Sequence, residues 1–243
     1  MSRLVVKVGG AVADRSAETV LELAREHEVC VVHGAGPQIS VEMERAGIPV
    51  EFVDGRRVTS QAGLMIVYAS LEAVNAALCA AIGARAVPFF GSEIGLEAER
   101  IEQLGLVGEA MPQDVPAVER VLAAGKIPVL APTAVDESSR VPLNVNADNI
   151  AAAVAVGMRV DKLLFLMDVE GLIVDGEIAD SIDHADGVAL LSSGVLEGGI
   201  IPKLTAALEA ARWGVPAFIG RTGITPPNQS AGVPLTRVER VTR

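Results

Sequence analysis

Compact apolar runs without clean polar alternation recur at Leu4–Val8, Val29–Val32, Ala86–Phe90, Ile127–Leu130, Leu163–Met167 and Ala217–Ile219. Such runs are expected of strands in a parallel sheet covered on both faces. Between them, apolar residues at helical spacing predict helices over Ser16–Glu26, Gln38–Ala46, Gln61–Ile82, Val115–Ala124, Asn149–Val156 and Ile201–Trp213. Gly47, Gly83, Gly125, Gly157 and Gly214 follow those helices closely and suit left-handed C-caps. The alternation predicts an α/β sandwich around a mainly parallel sheet. Two stretches break the pattern. Residues 91–113, rich in Gly and Glu, read as a hairpin. Residues 171–180 read as a second hairpin with an Asp-Gly turn. A fresh strand–hairpin–helix–strand unit begins after Gly157, so the expected lobes are 1–157 and 158–243.

Composition narrows the classes. Half of the 243 residues are apolar, enough for a sizeable core, and aromatics are only 3%, so Ala, Val, Leu and Ile must build it. A net charge of −11 argues against general nucleic-acid binding, which relies on many Lys and Arg contacts. It leaves room for an anionic substrate held by a few local cations. Cys30 and Cys79 read as small buried hydrophobes, and with His27, His33 and His184 they form no metal-ligand motif. The apolar stretch Leu64–Phe90 is broken by Glu72, Asn75 and Arg85, which suits a buried helix better than a membrane span. With no signal-peptide pattern at the start, a cytoplasmic protein is expected.

The chemistry concentrates at strand ends. The chain has four lysines, and two of them, Lys7 and Lys203, lie beside glycine pairs: Lys7-Val-Gly9-Gly10 and Gly198-Gly-Ile-Ile-Pro-Lys203. Paired glycines expose backbone N–H groups and lysine adds a mobile charge, a combination suited to phosphate. A charge on a buried strand needs a reason, which favours a functional Lys7 over a plain turn. Val31-Val-His33-Gly34-Ala35-Gly36-Pro is a strand, a glycine turn and a helix start. It lacks dinucleotide spacing but suits an anion at a helix N-terminus. Gly55-Arg-Arg57 offers a guanidinium able to pair with a carboxylate, although alone it reads as a solvated loop. The densest signal is Asn144-Val-Asn146-Ala-Asp148-Asn149, holding three of the chain's five asparagines. An N-cap explains one of them, but not the alternation, which would set a polar face at a strand end. Asp168 closes another strand, where an acid could face a nucleotide or its metal. Pro202 suits a first helical turn, so Lys203 sits near a positive helix end, a placement that makes sense with a polyanion bound.

Together these segments resemble the acetylglutamate kinases of the amino-acid kinase family, in the family's order and over nearly the whole chain. The resemblance implies a three-layer αβα sandwich that transfers the γ-phosphoryl group of ATP to the side-chain carboxylate of N-acetyl-L-glutamate, in arginine biosynthesis. It implies that Lys7 and Lys203 stabilise the phosphoryl group and that Asp148 orients both. Gly34 and Ala35 would donate backbone N–H groups to the substrate, Arg57 would hold its α-carboxylate, and Asn144 and Asn146 would complete that site. Gly9 and Gly10, the stretch Asp168, Val169, Glu170, Gly171, Leu172 and Ile173, and Val195, Leu196 and Glu197 would line the ATP. Mg²⁺ is expected on the ATP phosphates, with no dedicated protein metal site.

Two departures stand in the sequence. Ala35 occupies a usual glycine, and the family's Ser-Gly-x-Asp-Gly-Gly element appears as Phe90-Gly-Ser-Glu93-Ile-Gly95. Arginine-inhibited members carry an extra N-terminal helix, so a homodimer without feedback through such a helix is expected. The Gln61–Ile82 helix is the candidate dimer surface, with simple core burial as the competing reading. A rival is a kinase for carrier-protein-bound 2-aminoadipate or glutamate. Those relatives are more basic around the second lysine, where Ile200-Ile-Pro-Lys-Leu here carries one charge. A rival of another class is a non-catalytic amino-acid sensor, which need not keep Lys7, Asp148 and Lys203 together.

Overall fold

The computed structural model describes residues 1–9, 13–167, 171–174, 176–196, 198–221 and 236–239. The chain opens with β1 (Ser2–Val8), α1 (Ala13–Leu23), β2 (His27–His33), α2 (Gly36–Arg45), a small hairpin of β3 (Phe52–Val53) and β4 (Arg56–Arg57), α3 (Gln61–Ile82) and β5 (Ala86–Phe90). It continues through β6 (Glu97–Arg100), β7 (Val107–Ala110), α4 (Pro116–Ala123), β8 (Ile127–Ala131), β9 (Thr133–Asp136), β10 (Pro142–Val145) and α5 (Ala147–Gly157). The last third holds β11 (Lys162–Met167), the hairpin β12 (Ile173–Val174) and β13 (Glu177–Ile178), and β14 (Ser181–Asp183). After these come α6 (His184–Ser192), α7 (Ile200–Arg212), β15 (Ala217–Arg221) and β16 (Thr236–Glu239). Each expected strand and helix is present, α3 and β5 with the expected ends and the others with shifted ends.

Eight strands form the central sheet in the order β14-β16-β15-β11-β1-β2-β8-β5. All neighbours run parallel except β15 and β16. Alternation along β1 assigns its two faces. Leu4, Val6 and Val8 join the core against α1 and α3, whereas Val5 joins the core built with α5 and α7. Side chains two apart share a face, so Lys7 points with Val5 toward α5. On β2, Val29 and Val31 face the α1–α3 layer and Cys30 and Val32 the other; His33 therefore faces α3. The sheet crosses the expected lobe boundary, because β11 pairs with β1 (Leu4 opposite Lys162).

Three features were not legible in the pattern. Residues 91–113 contain the expected hairpin, β6 against β7, but β9 and β10 close it into a four-stranded barrel. Gly108 serves that closure, since a Cβ there would lie 2.8 Å from both Ala98 Cβ and Leu143 Cδ1. Helix α6 is hidden by Gly187, a poor helix former. A Cβ at that position would strike Leu208 at 2.6 Å, so glycine lets α6 and α7 approach. Third, Gly157 is not a left-handed cap. It ends α5, Arg159 takes the positive φ of 51°, and a Cβ on Gly157 would meet Gln113 O at 1.9 Å. Gly47, Gly83, Gly125 and Gly214 do adopt positive φ.

Candidate functional site

Parallel sheets bind ligands beyond the carboxyl ends of their strands. There β1 ends in Lys7 and Val8, β2 ends in His33, and α5 starts beside them. Helix α5 is capped by Asn146, whose side-chain oxygen accepts from the backbone N–H of Asp148 (2.7 Å) and Asn149 (3.3 Å). That cap fixes Asp148 in the first turn, where the helix dipole favours a carboxylate. Asp148 is 4% exposed. Its Oδ1 lies 3.0 Å from Lys7 Nζ and its Oδ2 lies 3.4 Å from Lys203 Nζ. Lys203, from the first turns of α7, also donates to Gly199 O at 3.0 Å. Two lysines remote in sequence thus share one carboxylate.

The triad is incompletely bonded. Oδ1 of Asp148 is buried and has no hydrogen bond among the described residues. The close approach of Lys7 is therefore an ion pair with poor hydrogen-bond angles. Burial pushes the Lys203 pKa down, the Lys7 charge adds to this, and Asp148 opposes both.

From the triad a cleft of about 190 Å³ runs toward the β3–β4 hairpin. This is below the ~300–1,000 Å³ of drug-sized pockets and suits a small molecule. Gly34, Ala35 and Gly36 wall one side, Asn144 and Asn146 the other, and Phe52 and Arg57 the far end. Arg57 is 6% exposed and firmly braced. Its Nη2 donates to Gly36 O (3.0 Å) and Ser40 Oγ (2.8 Å), and its guanidinium lies 4.6 Å over the Phe52 ring. Desolvation lowers its pKa from the usual arginine value. With Nη2 occupied, a ligand carboxylate meets the remaining N–H groups singly rather than as a fork. Asn144 donates to Thr59 Oγ1 (3.1 Å), which donates to Arg57 O (2.7 Å), so β10 and β4 brace each other.

Ala35 sits at the N-cap of α2 with φ −140° and is buried. Negative φ is open to any residue, so the backbone does not demand glycine there. Gly34 departs from expectation: its backbone N–H is spent on Val8 O at 3.3 Å rather than left for a substrate. A Cβ there would meet only Ala147 Cβ at 3.8 Å, so its missing side chain leaves room on the cleft side.

Other expected residues divide. Gly9 is exposed at the end of β1. Leu172 is buried in the core and its backbone N–H bonds Thr236 Oγ1 at 2.9 Å, so its side chain faces no ligand. Gly171 is buried beside it, Ile173 and Val195 are exposed, and Leu196 packs partly on the core. Gly10, Asp168, Val169, Glu170 and Glu197 lie outside the described residues. Sequence reasoning missed Ser40 and Phe52, which hold Arg57; nothing in their local sequence marks them, and each acts only across the fold. It read Pro202 as a helix start but not its position 3.6 Å from where a Cβ on Gly55 would stand. Asn149 proves structural, since its side chain pairs with both backbone groups of Ala110.

Residues 2–221 match the model of the amino acid kinase family. The chain belongs to the amino acid kinase family. It is 39% identical over 233 residues to the acetylglutamate kinase of Rubrobacter xylanophilus, covering 92% of this chain and 91% of that one. The acetylglutamate kinase of Chloroflexus aurantiacus is 37% identical over 198 residues, 78% of each chain. Among solved structures, smu.665 from Streptococcus mutans superposes with a TM-score of 0.85 at 26% identity, covering 98% of both chains. A carbamate kinase from Giardia lamblia bound to AMP-PNP, at 13% identity and TM-score 0.74, shares the fold.

Proposed function

We propose that this family member transfers the γ-phosphoryl group of ATP to the side-chain carboxylate of N-acetyl-L-glutamate, giving ADP and an acyl phosphate, an early step of arginine biosynthesis. One observation carries the reading: a single buried carboxylate between two ammonium groups, at the end of a small cleft whose far wall is a braced arginine. An attacking carboxylate is already ionised, so the site needs no general base. Its task is to overcome repulsion between two anions and to stabilise charge spread over the phosphoryl oxygens. Lys7 and Lys203 supply that charge. Asp148 keeps the two ammoniums from repelling each other and leaves the trio net positive. Arg57 attracts the α-carboxylate, Asn144 and Asn146 border it, and the Gly34–Ala35 backbone faces the reacting end. The C-terminal stretches, including Asp168–Ile173 and Val195–Glu197, are the ATP side. Among the described residues the cleft offers one carboxylate, and it already faces two cations. Mg²⁺ therefore fits as an ion carried on the ATP phosphates, neutralising their charge.

We also place the protein in the cytoplasm as a homodimer. Helix α3 is long and apolar enough to span a membrane, but Leu64, Val67, Leu71, Val74, Leu78 and Ile82 bury into the fold. Met65, Ala69, Ala73, Ala76 and Ala80 remain exposed, an apolar face for a second copy. Sedimentation velocity tests this, and a monomer at micromolar concentration would overturn it.

The function is tested by ADP release with N-acetyl-L-glutamate, glutamate and 2-aminoadipate as acceptors. Turnover with the acetylated substrate, and its loss in Lys203→Ala, is expected. Equal turnover of free glutamate would sink the assignment.

A further inference from the structure

His33 ends β2, is fully buried, and directly precedes the Gly34–Ala35–Gly36 wall of the cleft. It faces the α1–α3 layer, where α3 presents a single buried amide, Asn75. Asn75 Nδ2 donates to Val129 O at 3.0 Å, lies 3.0 Å from His33 Nε2 and has a longer contact of 3.5 Å to Phe89 O, so the two short contacts take its two hydrogens. Its Oδ1 accepts from Cys79 Sγ at 3.3 Å. A backbone carbonyl only accepts, so Val129 fixes which end of the amide carries the hydrogens. The hydrogen reaching His33 then requires a lone pair on Nε2. Hence the ring is neutral and its proton sits on Nδ1. Burial holds the ring neutral, with its pKa lowered to about 4; the Lys7 charge adds to this and the Gly34 backbone opposes it. Lys7 from β1 is thus the charged neighbour, and Cys79 the titratable one, reached through Asn75.

The Nδ1 hydrogen is the anomaly. Nδ1 is buried and has no hydrogen bond of normal geometry among the described residues, although the Gly34 backbone lies near enough to favour a proton on the ring. Buried donors are nearly always paired. A buried donor with nothing better than a poorly aligned approach to the Gly34 backbone, one residue before a ligand-facing turn, points to a bond that tightens when the turn shifts.

We propose that His33, held by Asn75 as its neutral Nδ1–H tautomer, is a positioning residue for the Gly34–Ala35 turn. When an anion occupies the cleft, Nδ1–H bonds the Gly34 carbonyl and fixes that turn with the Ala35 N–H toward the ligand, the Gly34 N–H staying with Val8 O at 3.3 Å. The inference rests on the proposed function for the identity of the anion, but the tautomer does not.

The test has two arms. The first is nitrogen-15 NMR of the wild-type imidazoles between pH 5.5 and 8.5. One ring should show the neutral Nδ1–H signature throughout. Its Nδ1 resonance should move when N-acetyl-L-glutamate and a non-hydrolysable ATP analogue are added. A ring protonated on Nε2, or no response to the bound pair, overturns the proposal. If the wild type turns over no acetylglutamate, the functional reading fails. The tautomer is then read alone, and the response is sought with ATP and each acceptor that does react. The second arm compares two variants by kcat, KM and thermal midpoint. His33→Asn keeps a donor near Nδ1 and gives up the Nε2 acceptor. His33→Gln keeps a partner for Asn75 and gives up the Nδ1 donor. His33→Asn should retain kcat within about threefold, while His33→Gln should lose about tenfold or more, of the order seen for positioning groups. A merely structural histidine gives the reverse order, because His33→Gln preserves the Asn75 contact. Should either variant fail to fold, the NMR arm decides.

Discussion

At the acyl end of the cleft, Arg57 commits Nη2 to Gly36 O and Ser40 Oγ and lays its guanidinium over Phe52. At the phosphoryl end, Lys7 and Lys203 share Asp148 at 3.0 and 3.4 Å, and Asp148 Oδ1 lacks a hydrogen bond. One cation is fixed by neutral partners before a ligand arrives, and two are set around a shared carboxylate whose Oδ1 keeps an ion pair but no hydrogen bond among the described residues. The difference matches what each end must do. A ground-state carboxylate is recognised by a donor braced at its own position, whereas charge that develops during transfer is met by ammonium groups that a buried carboxylate has already set in place. Interactions realised only in the transition state raise kcat, and those made equally in the ground state lower KM.

The comparison breaks most severely at Asp148. Asp148→Asn leaves two buried ammoniums facing each other. Removing one member of a buried ionic cluster costs on the order of 3–5 kcal/mol, and the rate should fall by about 10²–10³, as for other preorganised electrostatic groups. Denaturant unfolding and ADP release measure the two losses. ATP should restore part of the stability in the variant, because its phosphates supply the missing negative charge. A variant with wild-type stability and rate would show that the carboxylate organises nothing.

Arg57→Lys tests the other end. A lysine cannot span Gly36 O, Ser40 Oγ and the Phe52 ring at once. KM for the acetylated amino acid should rise by about tenfold, some 1.4 kcal/mol, with kcat much less affected. A fall confined to kcat would place Arg57 in the chemistry and erase the contrast between the ends.

The contrast also predicts a pH effect. The Lys203 pKa lies below its ordinary 10.5, through burial first and Lys7 second. Between the folded and unfolded values the folded state binds fewer protons, so this group's contribution to stability rises as pH increases through that window. Activity moves the opposite way, since the neutral amine no longer attracts phosphoryl oxygens. The alkaline limb of kcat/KM should fall below pH 10.5, and the limb of kcat should lie higher because bound ATP restores the charge. Lys203→Arg should lower the rate and remove the limb. An unchanged limb in that variant would assign it to another group.

How much of this was readable in the sequence depends on whether a residue acts locally. β1 and β2 declared themselves as apolar runs, and Lys7 stood out as a charge on one of them. A cap was legible in the Asn144–Asn149 stretch because capping is a local event, but the helix starts at Ala147 and the cap is Asn146, which was expected to border the substrate. The barrel was not, because β9 and β10 are four-residue strands with no pattern of their own. Gly157 misled because a glycine closing a helix ordinarily takes a left-handed φ, and nothing local shows the Gln113 backbone lying against it. The partners of Arg57 were equally hidden, since Ser40 is an exposed-side helix residue until α2 is laid beside β4. The acyl end is assembled by tertiary packing, while the phosphoryl end announces itself through glycine and lysine.

The mildest prediction concerns Ala35, which stands where the resemblance implied a glycine. Glycine is needed where φ is positive or where something must approach the backbone. Ala35 meets neither condition on the backbone side, with φ −140° and its methyl group buried. The close approach belongs instead to Gly34, whose absent Cβ leaves the cleft side open. Ala35→Gly should therefore destabilise the fold by about 0.4–1 kcal/mol, through the freer unfolded chain, and leave KM for both substrates nearly unchanged. Thermal denaturation and steady-state kinetics measure this. A marked gain in affinity for the acetylated substrate would mean that the alanine methyl obstructs the turn, and that the acyl end is less finished than its hydrogen bonds imply.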